Sequence, residues 1–188
     1  AKNENANIHV EISQLTLKNI YSKGNFTAEA ATTNNFVDHT LGETADYDNR
    51  AGRGTWANWS NPQDYSLSYT TAVDLANGGT ADLSVVDPSG KEYNEKTMYL
   101  IPQTVNRWDG VASASTPHIP ADKAYFELTA KIYNVAGLSV DKAHDVVLHD
   151  GLIAVPIPES TTWQDGLRYV YTFNFTSYGT GGVDPGTG

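Results

Sequence analysis

Histidines, carboxylates and exposed aromatic rings are the side chains of this chain that can do chemistry. The five histidines are His9, His39, His118, His144 and His149. No two stand at the i, i+4 helical spacing of a zinc motif, and there is no cysteine to complete one. Each therefore reads as a surface or loop histidine. Asp46, Asp48 and Asn49 resemble the first ligands of a calcium loop. The glycine expected at its sixth position and the glutamate at its twelfth are replaced by Ala51 and Ala57, so an acidic, solvated loop is the plainer reading. No Gly-x-Ser-x-Gly elbow occurs, and Gly179-Thr-Gly-Gly182 has no helix behind it to make a phosphate loop. Paired carboxylates for glycoside hydrolysis are defined by spatial separation, which spacing along the chain does not give. These residues predict no catalytic group, no cofactor and no metal ligand.

The aromatic residues point to contact rather than catalysis. Trp56, Trp59 and Tyr65 lie close together in a polar region, and aromatic faces of this kind can stack on sugar rings. They form the candidate ligand or partner contact. In a regular strand, Trp56 and Trp59 would point to opposite sides, so at least one is expected to plug the core, where large rings gain most from burial. Asn25, Asn58 and Asn174 open glycosylation triplets, which matter only in a eukaryotic source.

The elements that must position these residues are strands. Ile8–Ile12 and Leu15–Ile20 alternate, with the phase broken at Ser13-Gln14, as a bulge or a change of face would break it. Ser22–Asn25 reads as a turn. Residues 27–64 are polar and irregular, a long excursion with one short strand over Gly54–Trp59. Asp64–Thr70 and Ala81–Val86 read as strands, and Met98–Ile101 as a short apolar one. Ala124–Asn134 sets Phe126, Leu128, Ala130 and Ile132 against Tyr125, Glu127, Thr129, Lys131 and Tyr133. Val146–His149 and Leu152–Ile157 flank Asp150-Gly151, a hairpin signal, with Pro156 and Pro158 marking a sheet edge. Thr70–Ala76 and Asp141–His144 can each give one helical turn. Leu167, Tyr169, Tyr171, Phe173 and Phe175 occupy one face of a final strand. The pattern predicts an all-β chain, an antiparallel β-sandwich over residues 1–178, followed by a Gly-rich tail at 179–188.

Composition limits the partners. With 188 residues, 39% apolar content, eleven tyrosines and four tryptophans, the chain can fill a core. A net charge of −10 repels phosphate backbones and anionic membranes, so nucleic acid is not an expected partner. No apolar run approaches the ~20 residues of a membrane-spanning helix.

Three segments resemble the fimbrillin family, the type V pilus subunits and related surface proteins of Gram-negative bacteria. The first is Ile12-Ser-Gln-Leu-Thr-Leu-Lys-Asn-Ile-Tyr-Ser-Lys-Gly-Asn-Phe26. The second is Tyr99-Leu-Ile-Pro-Gln-Thr104. The third runs from Trp163 through Gly166 and Tyr169-Val-Tyr171 to Phe175. The resemblance implies a transthyretin-like or immunoglobulin-like sandwich and export as a lipoprotein precursor, followed by proteolytic maturation. It also implies a place at the cell surface and outer membrane, in the fimbria. The implied partners are other pilus subunits, joined by strand exchange in which a strand of one subunit completes the sheet of the next. A host or bacterial surface ligand, including a glycan, would be a further partner. A lipobox cysteine and a region ahead of the first motif are missing from the sequence, as is a strand after the Gly-rich tail. The chain is thus expected to be a portion of such a protein carrying its C-terminal part. A carbohydrate-binding module of a secreted or surface protein is the alternative.

Overall fold

A computed structural model of the chain describes residues 1–28, 54–76, 78–83, 98–110, 119–135, 141–158, 162–164 and 169–176. The strands are β1 (Lys2–Asn3), β2 (Ile8–Ala28), β3 (Gly54–Leu75), β4 (Gln103–Thr104), β5 (Tyr125–Asn134), β6 (Val146–Pro156), β7 (Thr162–Trp163) and β8 (Asn174–Phe175). There is no helix among the described residues. The four long strands make one antiparallel sheet in the order β3-β2-β5-β6, with β3 and β6 at its edges. β1 pairs parallel with β8, and β4 antiparallel with β7.

β2 organises the sheet, and its alternation comes in three blocks. Ile8, Val10 and Ile12, then Leu15 and Leu17, then Ile20 are all buried. Each change of block coincides with a register shift, because an extra residue is what keeps apolar side chains on one face when the spacing departs from two. The first shift falls at Ser13, against both β3 and β5, which answers the broken phase there as a bulge. The second sets Lys18 and Asn19 against Asp64, with Asn19 at a φ of 57°. The Asp64 carboxylate accepts the Asn19 amide at 3.0 Å and pairs with the Lys18 ammonium. Burial pushes that carboxyl up, but the bonds from Lys18 and the Asn19 amide outweigh it and hold it below the usual carboxylate range. The third shift lies between Lys23 and Asn25, where Gly24 faces Asn58 and Trp59.

The core lies against one face of the sheet. Phe126, Leu128, Ala130 and Ile132 of β5 are buried beside the inward residues of β2, as their alternation predicts. Leu83, Val105, Ile157, Trp163, Phe173 and Phe175 pack into the same cluster from outside the sheet. Phe126 meets Phe173 edge-on at 5.2 Å and Tyr171 at 5.0 Å. Burying each such ring contributes roughly 1.5–3 kcal/mol. Asn3, wholly buried, ties β1 to the sheet: its Nδ2 donates to the carbonyls of Ile8 at 2.8 Å and Leu75 at 3.1 Å.

Several sequence expectations change. Ser22–Asn25 is not a turn, because β2 runs through it, paired with β3. Residues 54–64 and 70–75 join Asp64–Thr70 in one 22-residue strand, since β2 supplies a partner along that length. The short strand at Gly54–Trp59 and the helical turn at Thr70–Ala76 are absorbed in it. Asp150-Gly151 makes no hairpin: Asp150 stays paired with Lys131 and Gly151 with Ala130, so β6 is continuous. Met98–Ile101 forms no ladder; the paired residues are Gln103 and Thr104. Among the described residues of the final strand only Asn174–Phe175 is in a ladder, because the neighbour available there, β1, is two residues long. Its alternation holds as burial only toward the end, with Phe173 and Phe175 inward and Thr172, Asn174 and Thr176 outward, while Tyr169, expected on the inward face, is exposed. Asp141–His144 does make a turn, with the His144 amide donating to the Asp141 carbonyl at 2.9 Å. The Asp46–Asn49 loop, His39, His118, residues 84–86 of the expected Ala81–Val86 strand and the Gly-rich tail lie outside the described residues, and Ala81–Leu83 are not in a strand.

Candidate functional site

The edge strand β6 carries an unusual surface. Val146, Val147, Leu148 and Leu152 are all exposed, Val146 at 63%. Among the described residues β6 pairs on one side alone, with β5, so the other side presents a row of backbone donors and acceptors. Soluble proteins usually blunt such an edge with lysine, proline or a charge. Here Asp150 is drawn sideways to Lys131, 3.1 Å away, and Pro156 ends the strand. The stretch Val146–Leu148 ahead of them is apolar and, among the described residues, open to a further strand.

A second feature lies at the far end of the β2–β3 ribbon. β5 leaves β2 after Lys18, and from there to Ala28 the ribbon continues beside β3. Asn58, at a φ of 54°, makes the bulge opposite Gly24, and asparagine tolerates this left-handed conformation better than most residues. The bulge shifts the phase by one and puts Trp56 and Trp59 on the same face. A side chain at Gly24 would meet Trp59 Cδ1 at 3.1 Å and Trp56 Cε3 at 3.2 Å. The expectation of opposite faces is thus overturned by one bulged residue. Neither indole is buried outright; both are partly buried, and Phe26, 50% exposed, lies tilted against Trp56 with the rings 5.3 Å apart. The Trp59 indole N–H donates to the Pro102 carbonyl at 2.9 Å. Tyr65 does not join them. It pairs in register with Leu17 and packs on the core.

The third feature is a polar cluster on the sheet face opposite the core. His9 and Glu11 alternate with Val10 and Ile12, and Asp74 of β3 stands in register beside Glu11. His9 is 2% exposed, so its expected surface position is overturned: Tyr133, its register partner on β5, covers it with the rings 6.0 Å apart. His9 Nε2 lies 2.8 Å from Asp74 Oδ1. That approach is off the N–H direction, and neither ring nitrogen has an aligned hydrogen-bond partner among the described residues. An unmatched buried donor costs about 1–3 kcal/mol. Glu11 accepts from the Tyr133 hydroxyl at 3.0 Å and from the Lys142 ammonium, which also reaches Asp74 at 3.4 Å. Burial pushes the Glu11 carboxyl up, yet the Lys142 and Tyr133 bonds outweigh it and the carboxyl sits below its ordinary value. Burial and the bond to Glu11 raise the Tyr133 hydroxyl.

Sequence reasoning found the aromatic pair but missed the polar cluster. The signal for it was a His-x-Glu on the outward phase of β2; its third member stands 63 positions further along, at Asp74. No protein-family model matches the chain, and no curated protein or solved structure matches it either.

Proposed function

We propose that this chain is a non-enzymatic structural or adhesive subunit of a cell-surface fimbria, built on an antiparallel β-sandwich and assembling by β-strand complementation. The observation that carries this reading is the apolar edge of β6. An incoming strand would gain main-chain hydrogen bonds along Val146–Leu148, and its alternate side chains would cover Val147 and Leu152. The three segments that resemble fimbrillins also hold structural positions consistent with such a subunit. The first is the central strand β2. The second carries Gln103, buried against it. The third supplies Trp163, Phe173 and Phe175 to the core. The partners are then other pilus subunits and the location is the outer membrane surface.

The test uses a photo-crosslinking residue at Leu148 in cells that produce the protein. The expected product joins β6 to a strand segment of another surface subunit, identified by mass spectrometry. A Val147→Lys, Leu152→Lys variant should abolish that product without lowering the melting temperature by more than a few degrees. Crosslinks confined to the chain itself in surface preparations would reject the proposal.

One observation favours a second reading, a carbohydrate-binding module: Trp56 and Trp59 share a face with Phe26 and remain partly accessible. Trp56→Ala should then remove binding on a glycan array while leaving subunit crosslinking through β6 unchanged.

A further inference from the structure

We propose that His9, Glu11 and Asp74 form a binding site for a divalent first-row transition cation, with the Lys142 ammonium as its tethered competitor. One imidazole nitrogen and two carboxylates are a donor set suited to zinc or manganese rather than to calcium or magnesium, which favour all-oxygen sets. One ligand atom from each residue lies within 4.8 Å of the others. Donors bound to one ion at about 2.0–2.2 Å stand at most roughly 4.4 Å apart, so a small side-chain movement closes the set. Glu11 and Asp74 are register partners on paired strands, and His9 is two residues from Glu11 on the same face. Rigid elements therefore hold all three.

The carboxylates alone would be an ordinary acidic pair. His9 makes the difference. It is buried, its ring nitrogens lack aligned partners, and its Nε2 lies 2.8 Å from Asp74 Oδ1. Two electronegative atoms at that separation without an aligned proton are arranged as neighbouring ligands of a shared cation. The Lys142 ammonium, bonded to both Glu11 and Asp74, marks where positive charge is stabilised. Its side chain is about half-exposed and belongs to the turn before β6, so it can leave for solvent when a metal arrives. Tyr133 holds the other oxygen of Glu11, the kind of outer contact that orients a ligand carboxylate. Three protein donors leave further positions for water.

Titration calorimetry of the metal-free protein with Zn²⁺, and the visible spectrum with Co²⁺ in its place, test this. One ion should bind per chain. Lys142→Gln should tighten binding by about tenfold, because the competing charge is gone. Glu11→Gln and Asp74→Asn should each weaken it by about tenfold or more. His9→Gln should lose it; if that variant fails to fold, the shift of the His9 ring nitrogens by NMR on adding Zn²⁺ replaces it. The inference is overturned if Lys142→Gln binds no tighter than the unaltered chain, or if Glu11→Gln and Asp74→Asn bind as well as it does. A histidine that merely pairs with Asp74 predicts that outcome.

Discussion

Gln103 shows how one side chain stands in for a missing strand. Where β5 has left β2, Gln103 Oε1 accepts the Tyr21 amide at 3.1 Å. Its Nε2 donates to the carbonyls of Tyr21 at 3.0 Å and Ile101 at 3.2 Å. One residue pair earlier, Asn19 Nδ2 donates to the Lys123 carbonyl at 2.8 Å. The ladder of β2 is thus continued by amide side chains. Gln103→Leu keeps the volume and removes the bonds, leaving Tyr21 unmatched on that edge. The expected loss is about 2 kcal/mol of unfolding free energy, measured by denaturant titration. An unchanged midpoint would mean that water replaces the amide there. The sequence displays Gln103 only as the end of Leu-Ile-Pro-Gln; its contact is 82 positions away and is a tertiary fact.

At the scale of the strand, asparagines at positive φ set the shape of the ribbon. Asn19, Asn58 and Asn61 have φ of 57°, 54° and 55°, and all lie in β2 or β3. Asn61 is fastened to Ser22 by two bonds: Ser22 Oγ donates to the Asn61 carbonyl at 2.7 Å, and Asn61 Nδ2 donates to Ser22 Oγ at 2.8 Å. Each bulge adds twist and resets the phase, which is how both tryptophans come to share one face over Gly24. Gly24→Val should therefore act on the rings. Its Cβ already meets them at 3.1–3.2 Å, and the added methyls must push at least one indole outward. The expected result is a red-shifted tryptophan emission and a loss of about 1–3 kcal/mol. Unchanged emission would show that the ribbon tip adapts freely. The breaks in alternation at Ser13 were legible; the break at Asn58 was not, since polar residues on both sides left no apolar rhythm to interrupt.

For the whole molecule, buried tyrosines join the sheet to the segments that cover it. The Tyr69 hydroxyl donates to the Leu83 carbonyl at 2.7 Å, and burial, aided by Asp82, pushes its pKa up to about 12. Tyr125 sits edge-on to the buried Trp108 at 6.1 Å, and burial with Glu127 raises it to about 12 as well. Raised values mean that the folded protein favours the neutral phenol. Unfolded tyrosines ionise near pH ~10, so this contribution is full below about pH 10 and is lost as pH rises through about 12. Stability followed by denaturation against pH should fall across that window, and the fall should be smaller in Tyr69→Phe. An equal fall in the variant would place the alkaline sensitivity elsewhere.

The sequence by itself determined the β class, the inward faces of β2 and β5, and the edge position of β6. Each follows from local alternation or from proline, and both act over a few residues. Three things were left to the tertiary structure. It decided that Gly54–Leu75 is one long strand, that the described residues Tyr169–Phe175 find almost no ladder, and that His9, Glu11 and Asp74 meet. Pairing and proximity depend on which distant segment lies alongside, and a residue's own neighbours in sequence carry no record of that.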